Sequence, residues 1–209
     1  PNTFGMNMLP PAIAMFTAIL KKAGHKVDIF DTTYYSVDHG IDSDGSKMEK
    51  LNVAPYSMEE KGIRLSTNDW KKDLCEKVSK FKPNLIAISS TEDMWELAVK
   101  VLTEIKDYKI KNKVPVIAGG VFPTFAPDLC LKEELVDIAC VGEGENAMLD
   151  LCKKIENKEN YDKLTNCWVK TVGPEYLKNR NVISKNPISN PVDINKNPII
   201  DISQFEENR

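Results

Sequence analysis

From Pro11 onward, apolar positions Ile13, Phe16, Ile19, Leu20 and Ala23 recur at helical spacing, with proline in the first turn and Gly24 placed to stop the run. Val27-Asp28-Ile29-Phe30 then predicts a short strand ending at Asp31. The stretch from Thr32 to Ser66 is polar and aperiodic, and it is too long for a simple connection, so it reads as an elaborated excursion. Periodicity resumes with Asn68 as the expected N-cap, followed by Trp70, Leu74, Val78 and Phe81 on one helical face and a stop at Lys82-Pro83. Leu85-Ile86-Ala87-Ile88-Ser89 is a continuous apolar run, the pattern of a strand buried on both faces. A helix over Asp93 to Tyr108 turns Leu97, Ala98, Val101, Leu102 and Ile105 inward. The expected order continues with a strand at Val116-Ile117-Ala118, a Gly119-Gly120 loop, a short helix from Pro127 to Lys132, a strand from Asp137 to Val141 and a helix from Glu145 to Ile155.

Helices alternating with buried strands predict right-handed βαβ units, hence an α/β fold with a doubly wound parallel sheet. Four strands and five helices are expected, and the order opens on a helix. Pro1-Asn2-Thr3-Phe4-Gly5 reads as a turn that follows a strand, so the first, central strand is expected immediately upstream of Pro1. Towards the other end, Asn166 to Val172 and Asn181 to Ser184 are placed to pair as a hairpin. From Asn186 the Asn/Pro-rich chain, with Pro187, Pro191 and Pro198, reads as an extended linker towards a further domain. The expected division is residues 1–160 as the α/β domain and 161–209 as hairpin and linker.

Composition narrows the functional classes. With 209 residues, 42% apolar and 28% charged, the chain is an ordinary globular sequence with material for one core. A net charge of -3 gives no electrostatic case for nucleic acid or an anionic membrane. The longest mostly apolar stretch, Ala12 to Leu20, is too short to span a bilayer and lacks the basic flank of a signal peptide, so an intracellular, cytoplasmic protein is expected. The five cysteines, Cys75, Cys130, Cys140, Cys152 and Cys167, contain no CxxC and read as mostly buried, reduced thiols. With His25 and His39 as the two histidines, no protein-built metal cage is expected, and no residue is marked out as catalytic.

In an open parallel sheet, ligands bind beyond the carboxyl ends of the strands. The loops that land there carry the candidate binding residues: Asn2, Thr3, Phe4 and Gly5; Ser89, Ser90 and Thr91; Gly119, Gly120, Val121 and Phe122; and Gly142, Glu143 and Gly144. Glycine, serine, threonine and asparagine offer backbone N–H groups and hydroxyls while allowing close approach. Gly142-Glu143-Gly144-Glu145-Asn146-Ala147 formally fits a dinucleotide fingerprint, but Glu143 and Glu145 would put carboxylates where a pyrophosphate must sit. The two glutamates are expected to cap the following helix instead. Asp38-His39-Gly40 reads as a solvated loop, and Trp70, Trp95 and Trp168 as core or interface anchors.

The segment Pro1 to Pro11 resembles the loop after the first strand in cobalamin (B12)-binding radical SAM enzymes, as does Leu20 to Val27 with its strand ending at Asp31-Thr32-Thr33. The strongest likeness is Val116-Ile117-Ala118-Gly119-Gly120-Val121-Phe122-Pro123-Thr124, followed by Val136-Asp137 and Val141-Gly142-Glu143-Gly144-Glu145. The resemblance covers roughly residues 1 to 155. It implies a flavodoxin-like (Rossmann-like) domain that holds a corrinoid, often as a methyl carrier, against a radical SAM domain of the same parent chain. That partner would carry S-adenosylmethionine and a [4Fe–4S] cluster, because the CxxxCxxC motif is missing here. The DxHxxG motif that supplies a histidine to cobalt is likewise missing, so no histidine ligand from this domain is expected. The alternatives are a cofactor-free flavodoxin- or receiver-like adaptor and a nucleotide-binding enzyme domain.

Overall fold

Strand pairing decides the architecture. The computed structural model describes residues 1, 10–35, 60, 62, 64–172 and 181–206, and the following statements concern those residues. The elements are α1 (Pro11–Lys22), α2 (Trp70–Phe81), β1 (Ile86–Ser89), α3 (Trp95–Glu104), α4 (Lys106–Asn112), β2 (Val116–Gly119), α5 (Val121–Phe125), α6 (Pro127–Cys130), β3 (Ile138–Cys140), α7 (Glu145–Asn157), β4 (Cys167–Val172), β5 (Asn181–Lys185) and α8 (Ser203–Glu206). They build a five-stranded sheet in the order β1-β2-β3-β4-β5. The first three strands are parallel, in the register Ile88↔Ala118 and Ala118↔Ala139. The hairpin predicted near the end of the chain joins the same sheet, with β4 antiparallel to β3 and β5 antiparallel to β4.

Local chemistry sets the helix ends. After α1 the Gly24 N–H donates to the Lys21 carbonyl and the His25 N–H to the Leu20 carbonyl, both at 3.0 Å, with Gly24 at φ 90°. This is a Schellman stop, which needs a left-handed residue. The cap of α2 is Asp69 rather than Asn68: its side chain accepts the Lys71 N–H at 2.9 Å, while Asn68 is turned to Ser66 and Asp73. The single helix expected over Asp93 to Tyr108 divides at buried Ile105, and α4 swings Lys109 onto Asp137.

Val27 to Phe30 is not a strand, contrary to its pattern. A strand exists only with a partner, and no described strand lies beside this run. Its groups are used locally instead: Phe30 stacks on Tyr35 at 5.6 Å between centroids, and the Val27 carbonyl accepts the Gln204 amide at 2.6 Å. Most of the Thr32–Ser66 excursion lies outside the described residues, as do Asp38-His39-Gly40. Its ends meet at a parallel bridge between Tyr35 and Ser66, and the Tyr35 hydroxyl donates to Asp73 at 2.9 Å. Burial, together with that hydrogen bond, pushes the Tyr35 hydroxyl up to about 12.

The core has two halves, one on each face of the sheet. Val116, Ala118 and Ala139 face Trp70, Leu74, Ala98 and Leu102 of α2 and α3. Ile117, Ile138 and Cys140 face Leu20 of α1 and Met148 and Leu151 of α7. Successive residues of β2 and β3 therefore serve opposite layers, which is why these segments read as unbroken apolar runs. The tail after β5 carries a short 3-10 turn at Ile194–Lys196 and α8, and it is bonded back onto the domain. Asp201 pairs with Lys21 at 2.7 Å, its N–H donates to Ala14 of α1, and Phe205 is buried.

Asp137 pins the sheet at the end opposite the candidate loops. Its carboxylate accepts the Val116 N–H at 2.7 Å and the Lys109 ammonium at 2.9 Å, and its carbonyl accepts the Lys170 N–H at 2.8 Å. Replacing Asp137 by alanine strands a largely buried ammonium and a backbone N–H. The expected cost is about 2–3 kcal/mol, read as a lower urea midpoint at unchanged m-value.

Candidate functional site

The loops after β1, β2 and β3 meet at the carboxyl end of the parallel strands. Ser89 is in register with Gly119. The Ser90 N–H donates to the Gly119 carbonyl at 3.0 Å, and the Phe122 N–H donates to the Ser90 carbonyl at 3.2 Å. Gly120 sits against this ladder at φ 99° and ψ -166°. A Cβ there would lie 2.9 Å from the Ser90 carbonyl oxygen and 3.0 Å from Ser89 Oγ. Only glycine occupies that backbone region at low cost, and only glycine leaves room for the neighbouring loop.

The third loop is joined to the second through Thr124, whose hydroxyl accepts the Gly142 N–H at 3.2 Å. Gly142 has φ 87°, and a Cβ there would meet nothing within 4 Å, so its outer side is open. Gly144 is a packing glycine: a Cβ there would come within 2.9 Å of the Phe16 ring of α1 and 3.4 Å of Cys140 Sγ. The expectation that Glu143 and Glu145 cap α7 is not met, since no side chain caps it. Glu143 instead accepts the Val192 N–H at 2.6 Å, and its carbonyl accepts the Asn166 amide, also at 2.6 Å. Asn166, buried and left-handed at φ 62°, also holds Ser189. The tail is thereby strapped across this end of β3, a contact between residues far apart in sequence that periodicity does not report.

The rim so formed is apolar with isolated polar points. Gly120, Val121, Phe125, Gly142 and Glu143 are exposed, Phe125 at 85%. Phe122 is turned inward onto Trp95, with centroids 4.8 Å apart. Ser90 is buried and its hydroxyl donates to the Thr91 carbonyl at 2.8 Å. The Thr91 hydroxyl is the notable group. It is buried yet has no hydrogen-bond partner among the described residues, a costly state unless something else supplies the partner. Of the candidate residues, Ser89, Ser90, Thr91, Gly119, Gly120, Val121, Phe122, Gly142, Glu143 and Gly144 cluster at this end of the sheet. Asn2, Thr3, Phe4 and Gly5 lie outside the described residues. Phe125 lies one residue beyond the Gly119 to Thr124 segment that the sequence marks, and the helical spacing from Val121 to Phe125 is the signal that brings it to this rim.

Among the described residues no group of three or more histidine, cysteine or acidic side chains is placed to hold a metal ion. Cys130, Cys140 and Cys167 are buried, and all five thiols are free. Cys140 and Cys167 face each other across β3 and β4, and their mutual hydrogen bond together with burial pushes the Cys167 thiol far up. Burial pushes Cys130 up to about 12. No helix among the described residues is long and apolar enough to cross a membrane.

Two predictions follow from this geometry. Gly120→Ala costs about 2–3 kcal/mol, whereas Gly142→Ala, strained in φ but unobstructed, costs about 1–2 kcal/mol; denaturation of the two variants side by side checks the order. Cys130 binds its proton more tightly when folded, so its contribution to stability is present below its ordinary pKa of 9.0 and is lost as pH rises towards about 12. Urea midpoints from pH 8 upward are expected to fall, and to fall less in Cys130→Ala.

The B12 binding domain family model matches residues 47–152, just over half of the chain. Among solved structures, the radical S-adenosylmethionine methyltransferase TsrM from Kitasatospora setae, with cobalamin and a [4Fe-4S] cluster bound, is similar at a TM-score of 0.60 and 17% identity, over 91% of this chain and 28% of that one. The cobalamin-dependent S-adenosylmethionine radical enzyme OxsB, with aqua-cobalamin and S-adenosylmethionine bound, is similar at 0.66 and 16% identity, over 99% of this chain and 22% of that one. The chain thus spans about a quarter of the length of these structures, and at such identities the likeness is one of fold. A search of the curated proteins gives no match.

Proposed function

The chain belongs to the B12 binding domain family, and we propose that it is the corrinoid-holding module of a cobalamin-dependent radical SAM enzyme, positioning the cofactor for methyl transfer or related radical chemistry. The observation that carries this reading is the rim at the strand ends: an open, glycine-lined apolar edge with the buried hydroxyl of Thr91, unpartnered among the described residues, beside it. A corrinoid is large, flat and mostly apolar at its faces, with amide side chains at its edge, and these residue types suit it.

In this reading Gly120 and Gly142 keep the backbone open to the ligand, and Val121 and Phe125 give it apolar surface. Thr91 donates to, or accepts from, one peripheral amide. Ser89, Ser90, Gly119 and Phe122 hold the loops in place, and Glu143 and Gly144 set the third loop against the tail and α1. A bound corrinoid supplies the organometallic chemistry, while the protein supplies binding, orientation and exclusion of water. His25 lines a cleft with Lys80 and Lys82 rather than this rim, so the site offers cobalt no described histidine. S-adenosylmethionine and the [4Fe–4S] cluster belong to a partner domain, for which exposed Val121, Phe125 and Leu129, with Ile194 and Ile199 of the tail, provide apolar surface.

The test is a visible spectrum after incubation with hydroxocobalamin and desalting, with circular dichroism confirming folding. One corrinoid per chain is expected to be retained, with bands free of imidazole ligation. Thr91→Val is expected to weaken retention about fivefold, the worth of one hydrogen bond of about 1 kcal/mol, without lowering the urea midpoint. Failure of both the folded chain and the full-length polypeptide to retain corrinoid would overturn the proposal in favour of a cofactor-free adaptor.

A further inference from the structure

Asn166 is buried, and both its backbone and its side chain are divided between the third loop and the tail. Its carbonyl accepts the Val141 N–H at 2.7 Å and its amide nitrogen donates to the Glu143 carbonyl at 2.6 Å, both in the chain that leaves β3 for the rim. Towards the tail, its N–H donates to the Pro187 carbonyl at 3.0 Å and its amide oxygen accepts the Ser189 N–H at 2.6 Å. From the loop, the Glu143 carboxylate accepts the Val192 N–H at 2.6 Å. A second route runs through α1: Gly144 packs on Phe16, and the tail grips α1 where Asp201 meets Lys21 and Ala14. The loop has little to hold itself with, since residues 142 and 144 are glycine and no side chain caps α7. Only an amide both donates to Glu143 and accepts from Ser189 through one side chain, and asparagine is among the few residues at ease at φ 62°.

We propose that the tail, docked through Asn166, sets the position of the third loop, so that tail docking and ligand binding at the rim favour each other. Asn166 is the positioning residue of this coupling. The identity of the ligand as a corrinoid rests on the function proposed above; the tail-to-loop part does not. The two states are tail docked and tail released. Docked, the loop is held from behind by Asn166 and Phe16, while the open side of Gly142 is presented to the rim. Released, the loop keeps its forward bond from the Gly142 N–H to Thr124 and loses its backing. The tail's contacts are a few hydrogen bonds and one partly exposed ion pair, the class of contact that opens locally first. A ligand that fits the docked state alone pulls the equilibrium towards it, and the tail then raises ligand affinity by the same factor.

Amide hydrogen exchange and hydroxocobalamin titration of the chain test this with two variants. Asn166→Gly tolerates the left-handed backbone and strips the side chain. Asp201→Ala frees the tail from α1 and keeps the falsifying power if the first variant does not fold, since its carboxylate bonds to Lys21 and Ser203 and not to the loop. Without ligand, the Val141 and Gly142 amides are expected to exchange about tenfold faster in Asn166→Gly and about threefold faster in Asp201→Ala, the worth of one exposed ion pair. The Kd for hydroxocobalamin is expected to rise by the same factors. Saturating hydroxocobalamin is expected to slow the Ser189 and Val192 amides of the unsubstituted chain about tenfold. A merely structural Asn166 would lower the urea midpoint while leaving loop exchange in Asp201→Ala as it was, and that result would overturn the inference with the proposed function intact. Faster loop exchange in both variants, with no corrinoid retained by any form of the protein, would uphold the tail's hold on the loop and overturn the proposed function alone.

Discussion

The approach of Gly120 to the Ser89–Ser90 backbone is the constraint on which the candidate site depends. Hydrogen bonds at 3.0 and 3.2 Å run between the two loops across that contact, and they exist because there is no side chain to hold the loops apart. Once β1 and β2 are locked there, Thr124 can reach Gly142 and the third loop follows. A ligand edge built this way is rigid without any dedicated scaffold, because the backbone ladder of the sheet continues past the ends of its strands. The glycine that looks like an opening for a ligand is also the hinge of loop-to-loop packing, and both roles need the same missing Cβ.

The two ends of the sheet have divided tasks. At one end Asp137 gathers β2, β3, β4 and α4 through its carboxylate and its carbonyl, which suits a place where strand alignment is set. At the other, polar groups are sparse and apolar surface is left open. The tail bridges the two halves of the molecule by a strap of polar contacts at Glu143 and Asn166 and an apolar anchor at Phe205. Extended chain rich in proline loses little entropy on docking, so a handful of such contacts suffices to hold it.

The fold shared with TsrM and OxsB at 16–17% identity shows how little of the sequence the architecture requires. What it requires is the two-layer coverage of β2 and β3 and glycine where loops touch. Family membership therefore speaks to the binding platform.

Sequence alone determined the α/β class, the buried strands, most helices and the loops that assemble the rim, because each depends on periodicity or on a local backbone demand: apolar runs for two-sided burial, Gly24 for a helix stop, Gly119-Gly120 for a turn after a strand. The hairpin was legible for the same reason. Tertiary structure alone decided the rest. Val27 to Phe30 carries strand residues but forms none, since a strand is a property of a pair. Glu143 abandons the helix end for Val192, and Asn68 yields the cap to Asp69, because each side chain found a competing partner that no local rule contains. The hairpin's place as fourth and fifth strands of the same sheet, and the burial of the Thr91 hydroxyl, were decided by which surfaces met in three dimensions, and that contact map is written in no single stretch of the chain.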